Sequence, residues 1–168
     1  MGISDDYNSP VTVYIAEGEK LYKAGDFKKA VQAFSTAINI LEKDDDKLPN
    51  TFVQRSKCYL AMGNAESALE DAEHSLKGNK DYHRGIYQKA EALYSLGNFE
   101  FALVNYHRGN KLRPELAEFR LGVQKAKEAI QFSVGTPKSV NLRESLNVNA
   151  KSNNSRNTQK DGRIESWK

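Results

Sequence analysis

Three histidines, one cysteine and a few neighbouring acids are the residues of this 168-residue chain best suited by type to chemistry. His74, His83 and His107 stand apart, and none has a second His or Cys at the spacing a metal ion needs. Cys58 is the single cysteine, so it can close no internal disulfide. That fits a reducing compartment, and a thiol beside Tyr59 on a helical stretch reads as packed rather than reactive. Glu70-Asp71 and Glu115 fall on faces read as solvated, so no carboxylate pair is set up for acid–base work. Neither a phosphate-cradling glycine loop nor a nucleophile elbow is found. No enzyme, metal or cofactor is expected. What is left is recognition chemistry: Tyr22, Gln54, Lys57, Arg84, Tyr87, Gln88, Glu91 and Tyr94. Tyrosine and arginine are the usual anchors of protein interfaces.

Those eight residues share one address because a turn recurs three times: Gly25-Asp26-Phe27, Gly63-Asn64-Ala65 and Gly97-Asn98-Phe99. An alanine follows five residues after each glycine, at Ala30, Ala68 and Ala102. Glycine can take the left-handed conformation that ends a helix. Asp or Asn beside it can cap the next helix, and the alanine fits where two helices cross closely. The glycines are 38 and 34 residues apart, and a period near 34 with this turn marks tetratricopeptide (TPR) helical hairpins.

The aligned positions agree. Repeat one places Tyr14, Gly18, Leu21, Ala30, Phe34 and Ala37 on the pattern. Repeat two places Phe52, Ser56, Tyr59, Ala68, Ala72 and Ser75, and repeat three Ile86, Ala90, Leu93, Ala102, Tyr106 and Gly109. The fold class is therefore all-α, an α-solenoid of three TPR hairpins plus a C-terminal capping helix. Helices are expected at about 12–24, 27–41, 50–62, 65–78, 83–96, 99–112 and 115–133. The repeats run over about 11–48, 49–82 and 83–114.

The four extra residues between the first two turns lie in Glu42–Lys47, an acidic run before Pro49 that reads as a solvated loop. In the last helix Leu116, Phe119, Val123, Ala126 and Ile130 form one apolar face. Glu118, Lys125, Lys127 and Glu128 make the opposite side polar, as suits a solenoid's end. Residues 1–11 and the basic tail 136–168 read as disordered.

Of the net charge of +3, +4 falls from Thr136 onward, so residues 1–135 carry −1. A nearly neutral body lacks the basic footprint of a nucleic-acid binder. The tail could touch an acidic surface such as a microtubule. No apolar run approaches the ~18 residues of a membrane span. The N-terminus does not read as a secretory signal, and Asp6 breaks the myristoylation pattern.

In a TPR stack the concave groove is lined by the first helix of each hairpin. Here that gives Ile15, Glu19, Tyr22 and Lys23, then Asn50, Val53, Gln54, Lys57 and Ala61, then Arg84, Tyr87, Gln88, Glu91 and Tyr94. Such a mixed aromatic and charged surface suits a helical or extended segment. Tyr22 and Tyr94 can equally cover the seams between repeats.

Some stretches exceed what TPR packing demands: Ala16–Tyr22, Gln54–Leu60, Gly85–Glu91, Phe99–Pro114 and Ser133–Pro137. Together they resemble the N-terminal TPR domain of the tetratricopeptide subunit of the outer dynein arm docking complex, over about residues 12–140. The resemblance implies a non-enzymatic scaffold in the cytoplasm and cytoskeleton, at the ciliary axoneme. It also implies coiled-coil docking-complex subunits and dynein-arm components as partners. Members of that family are longer, with further repeats downstream. The competing reading is a cochaperone that clamps a C-terminal carboxylate. The clamp positions read Ile15, Glu19, Gln54, Arg84 and Gln88. Only Arg84 matches in type, and Glu19 would repel a carboxylate.

Overall fold

The computed structural model describes residues 9–41 and 45–134. Seven α-helices lie among them and no strand: α1 (Pro10–Lys23), α2 (Phe27–Ile40), α3 (Lys47–Ala61), α4 (Ala65–Ser75), α5 (His83–Ser95), α6 (Phe99–Leu112) and α7 (Ala117–Val134). The expected disorder of 1–11 and of the tail 136–168 lies almost wholly outside the described residues. Its overlap is Ser9–Val11, where Pro10 opens α1 at a position whose fixed φ favours the first helical turn.

Three other boundaries moved. α3 begins at Lys47, before Pro49, because a proline in the first turn gives up an N–H that has no helical partner. Asp45 Oδ1 accepts from the Lys47 N–H at 2.8 Å, so the end of the acidic run starts a helix instead of lying in a loop. α4 stops at Ser75 and α7 starts at Ala117, each a little inside its expected range.

Each hairpin closes in the same way. Gly25, Gly63 and Gly97 have φ of 81°, 78° and 80°. The glycine N–H bonds to the carbonyl three residues back, and the next N–H to the carbonyl five residues back. In the first turn these are Gly25 to Tyr22 and Asp26 to Leu21, both at 3.0 Å, and the other two turns repeat the pair. These are Schellman closures, which satisfy helix-end carbonyls. Asp26 and Asn64 also cap the following helix, accepting from Lys29 and Ser67. Asn98 makes no such side-chain bond. The third turn therefore relies on its glycine alone.

Small residues set the crossings. Ala30, Ala68, Ala90 and Ala102 are fully buried. The Ser56 hydroxyl donates to the Ala68 carbonyl at 2.7 Å, clasping α3 to α4. A Cβ on Gly18 would stand 2.7 Å from the Phe34 ring, so α1 and α2 can meet there only over glycine. α3 lies against both α1 and α5, whereas α2, α4 and α6 do not touch one another. α1, α3 and α5 therefore form the inner layer of the stack and α2, α4 and α6 the outer.

One polar cluster ties the first two repeats together. Arg55 on α3 donates to both carboxylate oxygens of Asp71 on α4, at 2.8 and 2.6 Å, and to Ser35 Oγ on α2 at 2.9 Å. Its guanidinium also lies 5.6 Å from the Phe52 ring centroid and 5.8 Å from that of Tyr59. Asp71 is 3% exposed, which corrects its expected place on a solvated face. Burial alone would lower the Arg55 pKa, but the Asp71 carboxylate outweighs it and holds the proton more firmly.

Cys58 is fully buried against Ala30 and Phe34. Burial pushes its thiol up to about 11. Near pH 8 the thiolate fraction is then on the order of 0.1%. A thiol reagent should leave the native chain unlabelled at pH 8 and label it fully in denaturant. Rapid native labelling would show that α3 opens readily.

Candidate functional site

The inner layer carries clefts between successive odd-numbered helices. One, of about 250 Å³, lies between Glu19, Tyr22 and Lys23 of α1, Phe34 of α2 and Gln54 of α3. A second, of about 490 Å³, is shared by α3, α5 and the start of α7. It is lined by Val53, Gln54, Lys57, His83, Arg84, Tyr87, Gln88, Leu116 and Glu118. Gln54 borders both clefts, so the inner face offers one path across all three repeats.

Six of the eight expected contact residues line these clefts: Tyr22, Gln54, Lys57, Arg84, Tyr87 and Gln88. Tyr22 packs against Phe27 with the rings tilted and their centroids 5.5 Å apart, and keeps an exposed edge. Gln54 donates to Glu19 Oε1 at 3.3 Å, and Arg84 to Asn50 Oδ1 at 3.1 Å, so polar pairs bridge adjacent repeats along the floor. Tyr87 meets Tyr106 and Phe119 edge-on at 6.1 and 5.6 Å. One side of it is core and the other is cleft. Burial raises its pKa, and the nearby Glu91 carboxylate adds to that. Gln88 is 3% exposed and forms the cleft wall rather than projecting from it.

Glu91 and Tyr94 belong to a different structure. Glu91 accepts from the Tyr106 hydroxyl at 2.6 Å and from Lys125 Nζ at 2.7 and 2.8 Å. Lys125 Nζ in turn sits 4.6 Å from the Tyr94 ring centroid, and Tyr94 packs on Phe99. These groups seal α7 onto α5 and α6. Tyr94 thus covers a seam, and Lys125 lies inward instead of on the polar outer side expected for it. Nor is the outer side of α7 wholly polar, because Leu121 and Phe132 are 62% and 85% exposed. No group of three or more His, Cys, Asp or Glu side chains among the described residues could hold a metal ion. No described helix is long and apolar enough to cross a membrane.

Searched against protein-family models, the sequence matches none. Individual relatives decide the matter. The chain is 60% identical to outer dynein arm-docking complex subunit 4 of Danio rerio over 134 residues, 80% of this chain. Its repeat domain belongs to that family.

Docking-complex subunit 4 of Xenopus laevis is 54% identical over 134 residues, and that of Homo sapiens 57% over 129. The chain spans about a quarter or less of the length of these docking subunits: 27%, 24% and 18% respectively. Solved structures agree on the fold. The first TPR domain of Spaghetti (RPAP3), bound to the HSP90 peptide SRMEEVD, superposes with a TM-score of 0.67 at 21% identity. The match covers 77% of this chain and 98% of that one. The Sgt2 TPR domain of Aspergillus fumigatus gives 0.68 at 20% identity, over 76% of this chain and 84% of that one. The repeats of this chain therefore have the TPR architecture.

Proposed function

We propose that this chain is a non-enzymatic docking module whose inner groove holds a helical or coiled-coil segment of a docking-complex or dynein-arm protein at the ciliary axoneme. The observation that carries this reading is the 60% identity to a docking-complex subunit across the solenoid. A continuous inner face with Tyr22, Tyr87 and Arg84 along it supports the choice of groove. A partner helix laid there meets aromatic edges in the middle and charged groups at the rim, the arrangement that gives anchor residues most of the binding energy.

The test is co-precipitation with docking-complex proteins, comparing wild type with Arg84→Ala plus Tyr22→Ala. Both side chains are exposed. Truncating Tyr87 instead would strip contacts from Tyr106 and Phe119 and confuse folding with binding. The double variant should keep its helicity and lose most of its capture, each lost anchor costing about 2 kcal/mol. Full capture by the folded variant would move the site to the outer helices.

The cochaperone reading draws on neighbours such as the HSP90-peptide-bound Spaghetti domain. Side-chain geometry weighs against it here. Glu19 stands where a carboxylate clamp needs a donor, and it already accepts from Gln54. Ile15 supplies no donor at all. Calorimetry with the peptide SRMEEVD should show no more heat than its scrambled form. Carboxylate-dependent micromolar binding would favour the cochaperone.

A further inference from the structure

The larger inner cleft has a chemical bias that the groove reading does not require. Gln88 is almost wholly buried, yet no hydrogen bond is made by its amide. Every enclosed side-chain nitrogen or oxygen among the described residues does have a partner. The small opening left to Gln88 is therefore at its amide, on the cleft it lines. An amide open to the cleft can both donate to and accept from a group that enters it. Lys57 lines the same cleft, half-buried, with no carboxylate within ion-pair distance. Arg84 at the rim has a neutral partner, Asn50 Oδ1 at 3.1 Å, and keeps donors to spare. Glu118 on α7 is the one acid among the lining residues, set against two cations that have no carboxylate partner. Between these polar groups lie Val53, Tyr87 and Leu116.

We propose that this cleft reads an internal Asp or Glu side chain on the partner's helical segment. The carboxylate is taken by Lys57 and the Gln88 amide, with Arg84 at the rim, and an adjacent apolar residue lies on Val53, Tyr87 and Leu116. This rests on the groove reading and adds the chemistry of its central contact. A free chain terminus suits the site less well. Of the α1 positions that a terminal carboxylate clamp uses, Ile15 has no donor and Glu19, which accepts from Gln54, repels an anion.

The experiment is selection of a randomised 18-residue helical peptide library, amidated at its C-terminus and paired with a second library ending in a free carboxylate. Both are screened against the whole chain. Selected peptides are measured by fluorescence anisotropy on wild type, Lys57→Gln, Lys57→Glu, Gln88→Leu and Tyr22→Ala, each checked for helicity by circular dichroism. Amidated binders should carry Asp or Glu at one fixed position, with Leu, Ile or Phe three or four residues away. Lys57→Gln should weaken them about tenfold or more. The same library screened on the Lys57→Glu chain should instead select Lys or Arg at that position. Groove binders that lose affinity in Tyr22→Ala but show no acidic position, or ignore Lys57, would overturn this inference and leave the groove reading intact. Acid enrichment confined to free C-termini would overturn it in favour of terminal recognition. Failure to select any groove-dependent peptide would overturn both readings.

Discussion

Replacing Arg55 by alanine is expected to cost about 3–5 kcal/mol of stability. The reason is Asp71. Its carboxylate is nearly sealed from water, and the two Arg55 bonds at 2.8 and 2.6 Å are what make a charge tolerable there. Removing the guanidinium leaves a buried anion with no counter-charge, and Ser35 loses its donor as well. An exposed ion pair of the same length would be worth about 0–1 kcal/mol, so the magnitude discriminates between the two settings. Urea unfolding followed by circular dichroism measures it. Arg55→Met combined with Asp71→Leu should recover most of the loss, because an apolar pair of similar size removes both charges at once. A loss below about 1 kcal/mol in Arg55→Ala would mean that water reaches Asp71. The first two repeats would then be held together mainly by their apolar contacts.

Gly109→Ala is the second large effect, and two principles disagree on its sign. Helix propensity favours alanine inside α6 by about 0.8–1 kcal/mol. Packing opposes it, because a Cβ on Gly109 would overlap the ring of Phe119 on α7. The same lock is repeated in reverse, where a Cβ on Gly122 of α7 would overlap the Tyr106 ring on α6. Phe119 and Tyr106 are both fully buried, so neither ring can swing aside without opening the core. Overpacking of this kind costs about 1–3 kcal/mol, so the substitution should be destabilising overall. Phe119→Leu in the same chain should relieve part of the cost, and a double-mutant cycle reads the coupling directly. If Gly109→Ala raises stability, α7 is not seated on α6 by these rings, and the end of the stack is looser than described.

The repeat architecture was legible because its causes are local. A Gly-Asp or Gly-Asn turn, an alanine five residues on and apolar positions at helical spacing lie within one hairpin, so periodicity finds them. Asp71 was misread for the complementary reason. Its partner is 16 residues away on another helix, and nothing in the spacing of charges along α4 shows that Arg55 covers it. Lys125 illustrates the same limit. On α7 alone it sits with polar neighbours, and only the stacked structure brings Glu91, 34 residues distant, within 2.7 Å. The groove was half legible. Alignment to the first helix of each hairpin puts Tyr22, Lys57 and Arg84 on the inner face. It cannot tell a residue that projects, like Arg84, from one that is walled in, like Gln88. Glu91 and Tyr94 satisfied the same register and yet seal a seam, because α7 folds over that end of α5.

The central claim is that partners are held on the inner face. Hydrogen–deuterium exchange of the whole chain, alone and with a coiled-coil subunit of the docking complex, tests it most directly. Slowed exchange should concentrate in α1, α3 and α5 and at the start of α7, strongest around Val53–Lys57 and Arg84–Gln88, while α2, α4 and α6 exchange as before. Protection confined to the outer helices, with Arg84–Gln88 unchanged, would contradict it.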